Sequence, residues 1–328
     1  MSDRAITPGI TVSVVISTHN RAGVLPTALN ALLAQTGDVP YEIIAVDNRS
    51  TDGTADIIRA KLATSPQLRY LFEPQPGLPH ARNAGVRAAR GSIVAFTDDD
   101  VEVPPHWVAT IARLFDANPG IDVIGGSVRP IWPSALPSWV TRRQLGPFAL
   151  GERGDAPLRV DAGNAAPCLV GANFAFRRDV FERIGMFDPA YIKSQDREIQ
   201  LRLWRAGGAG LYAPEMAISV EVPPERLTKK YFRYWYRTYG AYHSRMRLLD
   251  TIDRHGRLAD PTGRRVFGVP GFLYRRLLDS MRAWLMAVAK FDGATAFYHE
   301  NDLRYLFSYI CERYRERARG RRHALGCL

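Results

Sequence analysis

Cysteine is scarce: Cys168, Cys311 and Cys327 are the only three in 328 residues. An odd number, widely spaced and without a pairing motif, excludes a disulfide framework or a cysteine zinc site as the basis of the fold. No uncharged apolar run reaches the roughly 18 to 20 residues that span a bilayer. The N-terminus has no basic-then-apolar leader, so a cytosolic protein is expected. No G-x-G-x-x-G follows a strand-like run and no G-x-x-x-x-G-K-[ST] occurs, which argues against dinucleotide and P-loop sites of the usual kinds. Internal repeats and low-complexity segments are missing too. What remains, 46% hydrophobic and 23% charged, is the balance of a globular protein with one large domain and an appendage, or two domains.

Net charge is +11 and unevenly placed. From Pro224 onward there are 22 Lys/Arg against 10 Asp/Glu, so the last third carries the whole excess. Such asymmetry implies an anionic partner, whether lipid headgroups, nucleic acid or a phosphorylated acceptor, or else a solvated helical surface. Residues 229–249 interleave aromatics with Arg and Lys. Residues 272–288 place Leu273, Leu277, Met281, Trp284 and Val288 at helical spacing with Arg275, Arg276 and Arg282 off that stripe, a pattern that suits either packing on a core or an anionic membrane interface. No nucleic-acid-binding motif accompanies the charge, and no nucleic-acid partner is expected.

The first 130 residues alternate short Val/Ile-rich runs (12–17, 42–47, 68–73, 92–97) with helical stretches (25–35, 55–61, 80–90). Strands buried on both faces and separated by helices predict a parallel sheet with right-handed crossovers, and ligands in such sheets bind beyond the carboxyl ends of the strands. Residues 131–161, rich in Pro, Gly and Trp, read as a functional loop. A strand-like GANFAFR and helices at 179–184 and 195–205 follow.

The strand ends carry the chemistry. The first runs into Ser17-Thr18-His19-Asn20-Arg21 and the second into Asp47-Asn48-Arg49-Ser50-Thr51-Asp52. Asp47 either accepts from a ligand N–H, such as the imide of a pyrimidine base, or only orders its turn. The fourth ends in Asp98-Asp99-Asp100. Side-chain alternation puts Asp98 and Asp100 on one side and Asp99 on the other. Paired hard oxygen ligands suit Mg²⁺ or Mn²⁺ with a diphosphate, although an acidic loop capping the next helix reads the same way. Arg82, in a predicted first helical turn, is placed to meet phosphate.

Taken in order, VSVVISTHNR, EIIAVDNRSTDGT, GLPHARNAGVRAARG, IVAFTDDDV, GANFAFRRDVFERIGMFD and SQDREIQLRLWRAG resemble glycosyltransferase family 2. That resemblance spans about 12–208 and implies a GT-A-like (Rossmann-like) α/β fold, with a mixed, mainly parallel sheet flanked by helices, and inverting transfer from a nucleoside-diphosphate sugar. It implies donor binding by Thr18, Asn20, Arg21, Asp47, Arg82, Asn83, Asp98 and Asp99, a metal on Asp100, and an acceptor side at Gly171, Asn173 and Gln195. Asp196 becomes the general base. The family's Glu-Asp pair reads Gln195-Asp196 here, and where many relatives have a metal-side His before Pro-Pro this chain has Glu221, a second candidate ligand. The Q-x-x-R-W motif of processive synthases is absent. The expected layout is a catalytic domain at 8–222, with a nucleotide-binding half (8–128) and an acceptor half (129–222), then a helical basic extension at 223–328. The expected acceptor is a lipid-linked or surface-polysaccharide intermediate, and the place of action the cytoplasm or the cytoplasmic membrane face. Two rivals are a nucleotidyltransferase, which lacks its Gly-rich, Lys-containing loop here, and an inactive nucleotide-sugar- or membrane-binding module.

Overall fold

The computed structural model describes residues 9–259 and 264–325. The expected domain start at residue 8 and the third cysteine, Cys327, lie outside them. The chain forms two compact units: 1–131 with 150–221, and 132–149 with 222–328.

The first unit is built in chain order from β1 (Val12–Thr18), α1 (Leu25–Leu33), β2 (Tyr41–Asp47), α2 (Thr54–Leu62), β3 (Leu68–Phe72), α3 (Leu78–Ala88), β4 (Ile93–Asp98), β5 (Val101–Glu102), α4 (Trp107–Ala117), β6 (Val123–Ile131), β7 (Leu158–Val160), β8 (Asn173–Arg177), α5 (Val180–Ile184), α6 (Gln195–Arg205) and β9 (Gly210–Glu221). Its nine-stranded sheet runs β3-β2-β1-β4-β8-β6-β9-β5, with β7 against β9. The first four strands are parallel, as their separation by helices requires. Beyond β4 the order turns mixed: β8 is antiparallel to both β4 and β6, whereas β6 and β9 are parallel. The core lies on both faces: Val12, Val14 and Ile16 are buried on one beside Ile43, Ala45, Ile93 and Ala95, and Val15, Ile44, Val46 and Val94 on the other.

Two contacts fix the functional edge. A Cβ on Gly85 would lie 2.3 Å from Val15 Cγ1, so glycine lets α3 sit directly on β1. Rings of Phe96, Phe174, Phe176, Phe181 and Phe187 then pack with centroids about 5 to 6 Å apart behind the end of β4.

The second unit holds α7 (Lys229–Arg245), α8 (Leu248–Thr251), α9 (Gly271–Ala289) and α10 (Gly293–Leu325). Thr228 starts α7 by accepting from Tyr231 N at 3.2 Å. Gly240 lies where α7 meets α10, since a Cβ there would come within 2.4 Å of the Tyr305 carbonyl. Residues 132–149, expected within the catalytic domain, cluster with this unit instead. The reason is aromatic: Trp139 meets Phe232 and Phe297 at 4.9 Å, and Phe148 meets Phe232 at 5.3 Å. Among the described residues no helix is long and apolar enough to cross a membrane.

Candidate active site

The carboxyl ends of β1, β2 and β3 are tied together by side chains. Asn20, left-handed at φ 52, accepts from Thr51 N at 2.7 Å, while its own N–H donates to Ser50 Oγ at 3.0 Å. Buried Asn48 donates to the carbonyls of Glu73 and Gln75 and accepts from Gly77 N at 2.7 Å. Asp47 is buried, taking a hydrogen bond from Ser50 N at 2.8 Å and one from Tyr70 Oη at 2.9 Å. It therefore orders its turn, and it also borders an open cleft of about 590 Å³ with Thr51, Arg59, Tyr70 and Phe72. Asn48 and Tyr70 went unnoticed in the sequence. Asn48 stands beside Asp47 in DNRSTDGT, but the carbonyls it reaches lie 25 and 27 residues away.

A second group converges where β4 meets α3 and α6. Arg82 is only 3% exposed, donating to the Gly171 carbonyl at 2.8 Å and to Asp98 at 3.4 Å. Its guanidinium lies 5.3 to 5.7 Å from the rings of Phe96, Phe174 and Phe187. Burial lowers its pKa, while the charges of Asp98 and Asp196 oppose that shift. Gly171 N donates to Asp196 Oδ2 at 3.3 Å, so Asp98, Arg82, Gly171 and Asp196 form one chain of contacts. Asp196 sits in the first turn of α6, just after Ser194 in left-handed conformation (φ 58), and its Oδ1 accepts from Arg197 N at 2.9 Å. Gln200, also unforeseen, holds the start of α6 to the preceding loop by donating to the carbonyls of Asp196 and Leu169, both at 2.8 Å. Glu198 is clamped by Arg202 at 2.7 and 2.8 Å.

Asp99 is buried, with Arg21 Nε 3.6 Å away. Burial pushes its carboxyl up to about 6, against the Thr18 hydroxyl and Arg21, which favour the ionised form. Two expected site residues are engaged elsewhere. Asn83 closes both ends of its amide on the Phe187 backbone, at 2.8 and 2.9 Å, and latches α3 to that loop. Asn173 is fully buried, donating to the carbonyls of Ser127 and Met216 and accepting from Trp107 Nε1. Asn173 thereby uses both amide hydrogens, whereas Asn83 commits one hydrogen and one lone pair and keeps the others. Gln195, beside Asp196, is buried with its Oε1 unpartnered among the described residues.

Asp100 immediately precedes β5 and Glu221 ends β9, and the antiparallel pair β5–β9 matches Val101 with Val220 and Glu102 with Ser219. No group of three or more His, Cys, Asp or Glu residues is arranged for a cation among the described residues.

A parallel α/β half whose strand ends present carboxylates, an arginine and an open cleft is the architecture of a ligand-binding α/β enzyme. Residues 13–185 match glycosyl transferase family 2, and the chain belongs to that family. It is similar to a glycosyltransferase of Haloferax volcanii, AglE, at 30% identity over 68% of this chain and 71% of the relative. An uncharacterised glycosyltransferase of Nostoc is 29% identical, and a glucosyl-dolichyl phosphate glucuronosyltransferase of Haloferax volcanii 27%, over 70% and 58% of this chain. The chain spans 65% and 59% of those two relatives, less than two thirds of their length. A mannosyltransferase from Pyrobaculum calidifontis, solved with GDP-Man and Mn²⁺, shares the fold at TM-score 0.62 and 21% identity, over 94% of this chain and 88% of its own. The chain thus combines membership of glycosyl transferase family 2 with a GT-A fold.

Proposed function

We propose that the chain transfers one sugar at a time, with inversion, from a nucleoside-diphosphate donor to an acceptor hydroxyl in polysaccharide or glycolipid assembly. The observation that carries this reading is the chain Asp98–Arg82–Gly171–Asp196, which couples a carboxylate at the end of β4 to a second one on α6. Asp47, at the cleft, is assigned to the base, Thr18, Asn20 and Arg21 to the rest of the nucleotide, and Asp98 to the ribose. Arg82 would face the phosphates as a fixed positive charge.

Asp196 would act as general base. Each of its oxygens engages one backbone N–H and keeps a lone pair free, so it can take the proton of the acceptor hydroxyl. As that oxygen bonds to the anomeric carbon from one face, the bond to the diphosphate breaks on the other. The diphosphate departs with the electron pair. Asp100 and Glu221 would hold Mg²⁺ or Mn²⁺, and such an ion, when bound, neutralises charge on the diphosphate. A lipid-linked acceptor at a cytoplasmic membrane face is supported by the basic balance after Pro223.

The test is Asp196→Asn, assayed with UDP-, GDP- and dTDP-sugars and Mn²⁺. Donor-induced thermal stabilisation should persist, whereas sugar release should fall by roughly 10²- to 10⁴-fold, the usual worth of a positioned base. Loss of donor binding, or turnover near wild type, would return Asp196 to the role of a helix-start residue.

A further inference from the structure

The pair α9–α10 leaves apolar surface uncovered. Leu273, Ser280 and Ala287, every seventh residue, are the buried positions of α9. About 100° around the helix, Leu278, Met281, Leu285 and Val288 recur at intervals of three and four, each between 43% and 54% exposed. Phe307 of α10, 64% exposed, joins them across a groove of about 400 Å³ also lined by Trp284 and Arg304. Arg275 and Arg282 border the stripe on its solvent side, Arg282 with only a distant partner in Asp279 at 3.8 Å.

We propose that this face docks on an anionic lipid bilayer, with the Leu278–Val288 stripe and Phe307 in the acyl–headgroup boundary and Arg275 and Arg282 on lipid phosphates, while Arg304 stays paired with Glu300 at 2.9 Å. Charge selects the occupant. The segment from Pro224 onward has 22 Lys/Arg against 10 Asp/Glu, so the field around the stripe is positive. A second copy docked by the same face about a two-fold axis would bring two arginine-bordered stripes together, adding like charge at the rim. An apolar stripe bordered by arginines, on helices too polar to span, is the pattern of a helix that lies in the interface. The inference deepens the lipid-linked acceptor reading and rests on it only for the presence of a membrane.

The experiment is co-sedimentation of the full chain with vesicles of phosphatidylcholine alone or mixed with phosphatidylglycerol. Binding should require phosphatidylglycerol and fall steeply with salt. Met281→Glu with Leu285→Glu should weaken it at least tenfold, as an order of magnitude, and Arg275→Ala with Arg282→Ala by about fivefold per charge. Both side-chain pairs are exposed, so helix content and donor-induced stabilisation should stay at wild type. Equal binding to both vesicles, an unchanged affinity of the Met281/Leu285 variant, a stable dimer formed through this face, or tighter binding to RNA would each overturn the proposal. Vesicle binding needs no turnover. Binding without sugar release would leave it standing and sink the transferase reading, and release without binding would do the reverse.

Discussion

Gly171→Ala tests the chain of contacts on which the catalytic reading depends. A methyl group at 171 would lie 2.8 Å from Arg82 Nη1, 3.0 Å from Nη2 and 3.3 Å from Asp196 Cβ. Ordinary contact begins near 3.4 Å, so several tenths of an ångström must be found. The guanidinium cannot easily yield them, because three phenylalanine rings lie behind it and the Gly171 carbonyl holds it at 2.8 Å. Its bond to Asp98, already 3.4 Å long, is the one to break first. Overpacking of this kind costs about 1 to 3 kcal/mol, or roughly 2 to 10 °C in melting temperature for a protein of this size. Misplacing a phosphate-facing charge and the base beside it by this distance should lower turnover by roughly 10²-fold. Gly120→Ala is the control, since nothing lies within 4 Å of the added methyl. Sugar release measured beside thermal unfolding separates the effects. Unchanged turnover in Gly171→Ala, with or without a lower melting temperature, would refute the coupling of Arg82 to the reaction.

Four further outcomes are expected. Asp100→Asn should abolish the response of turnover to added Mn²⁺, with Glu221→Gln shifting the cation concentration needed; full activity in chelator would remove both from the metal. Asp47→Ala should weaken donor binding more than it slows saturated turnover, and an unchanged titration midpoint would leave Asp47 as a turn residue alone. Asn173→Ala leaves the Trp107 N–H and two carbonyls unpaired, so denaturant unfolding should show a loss of about 3 kcal/mol or more; a small loss, or a weakened donor affinity at full stability, would contradict a purely internal role. Burial, and after it the charge of Asp196, pushes the Cys168 thiol up to about 12, so it stays protonated below that pH. In a background lacking the other two cysteines, alkylation near pH 8 should run at least roughly a hundredfold slower than for a free thiol, and rapid labelling would show the site to be open.

The parallel half was legible because its signals are local. Runs such as EIIAVD are apolar on both faces, and the helical stretch before SIVAFT ends at Ala88, close to the expected end at 90. The strand β6 was not, since VIGGSVRPI carries two glycines, an arginine and a proline. Those glycines answer a neighbour far along the chain: a Cβ on Gly126 would fall 1.6 Å from the Met216 carbonyl, where β6 and β9 shift register. The site divides the same way. Carboxylates at strand ends announce themselves. Asparagines do not, because an amide's role depends on which backbone atoms approach it. Asn20, Asn48, Asn83 and Asn173 read alike in sequence, yet the first two bind loops at the cleft while the last two are spent on internal carbonyls and N–H groups.

The excursion of residues 132–149 into the second unit has a consequence for biosynthesis. Trp139 and Phe148 leave the ribosome well before Phe232 and Phe297, the rings that cover them, have been made. At about 5 to 20 residues per second the wait lasts on the order of 5 to 30 s, long against the folding of a sheet whose last strand ends at Glu221. For that interval the nascent chain carries a naked aromatic strap. A ribosome stalled shortly after Glu221 should recruit a holdase through those rings, and replacing Trp139 with Ser should release it.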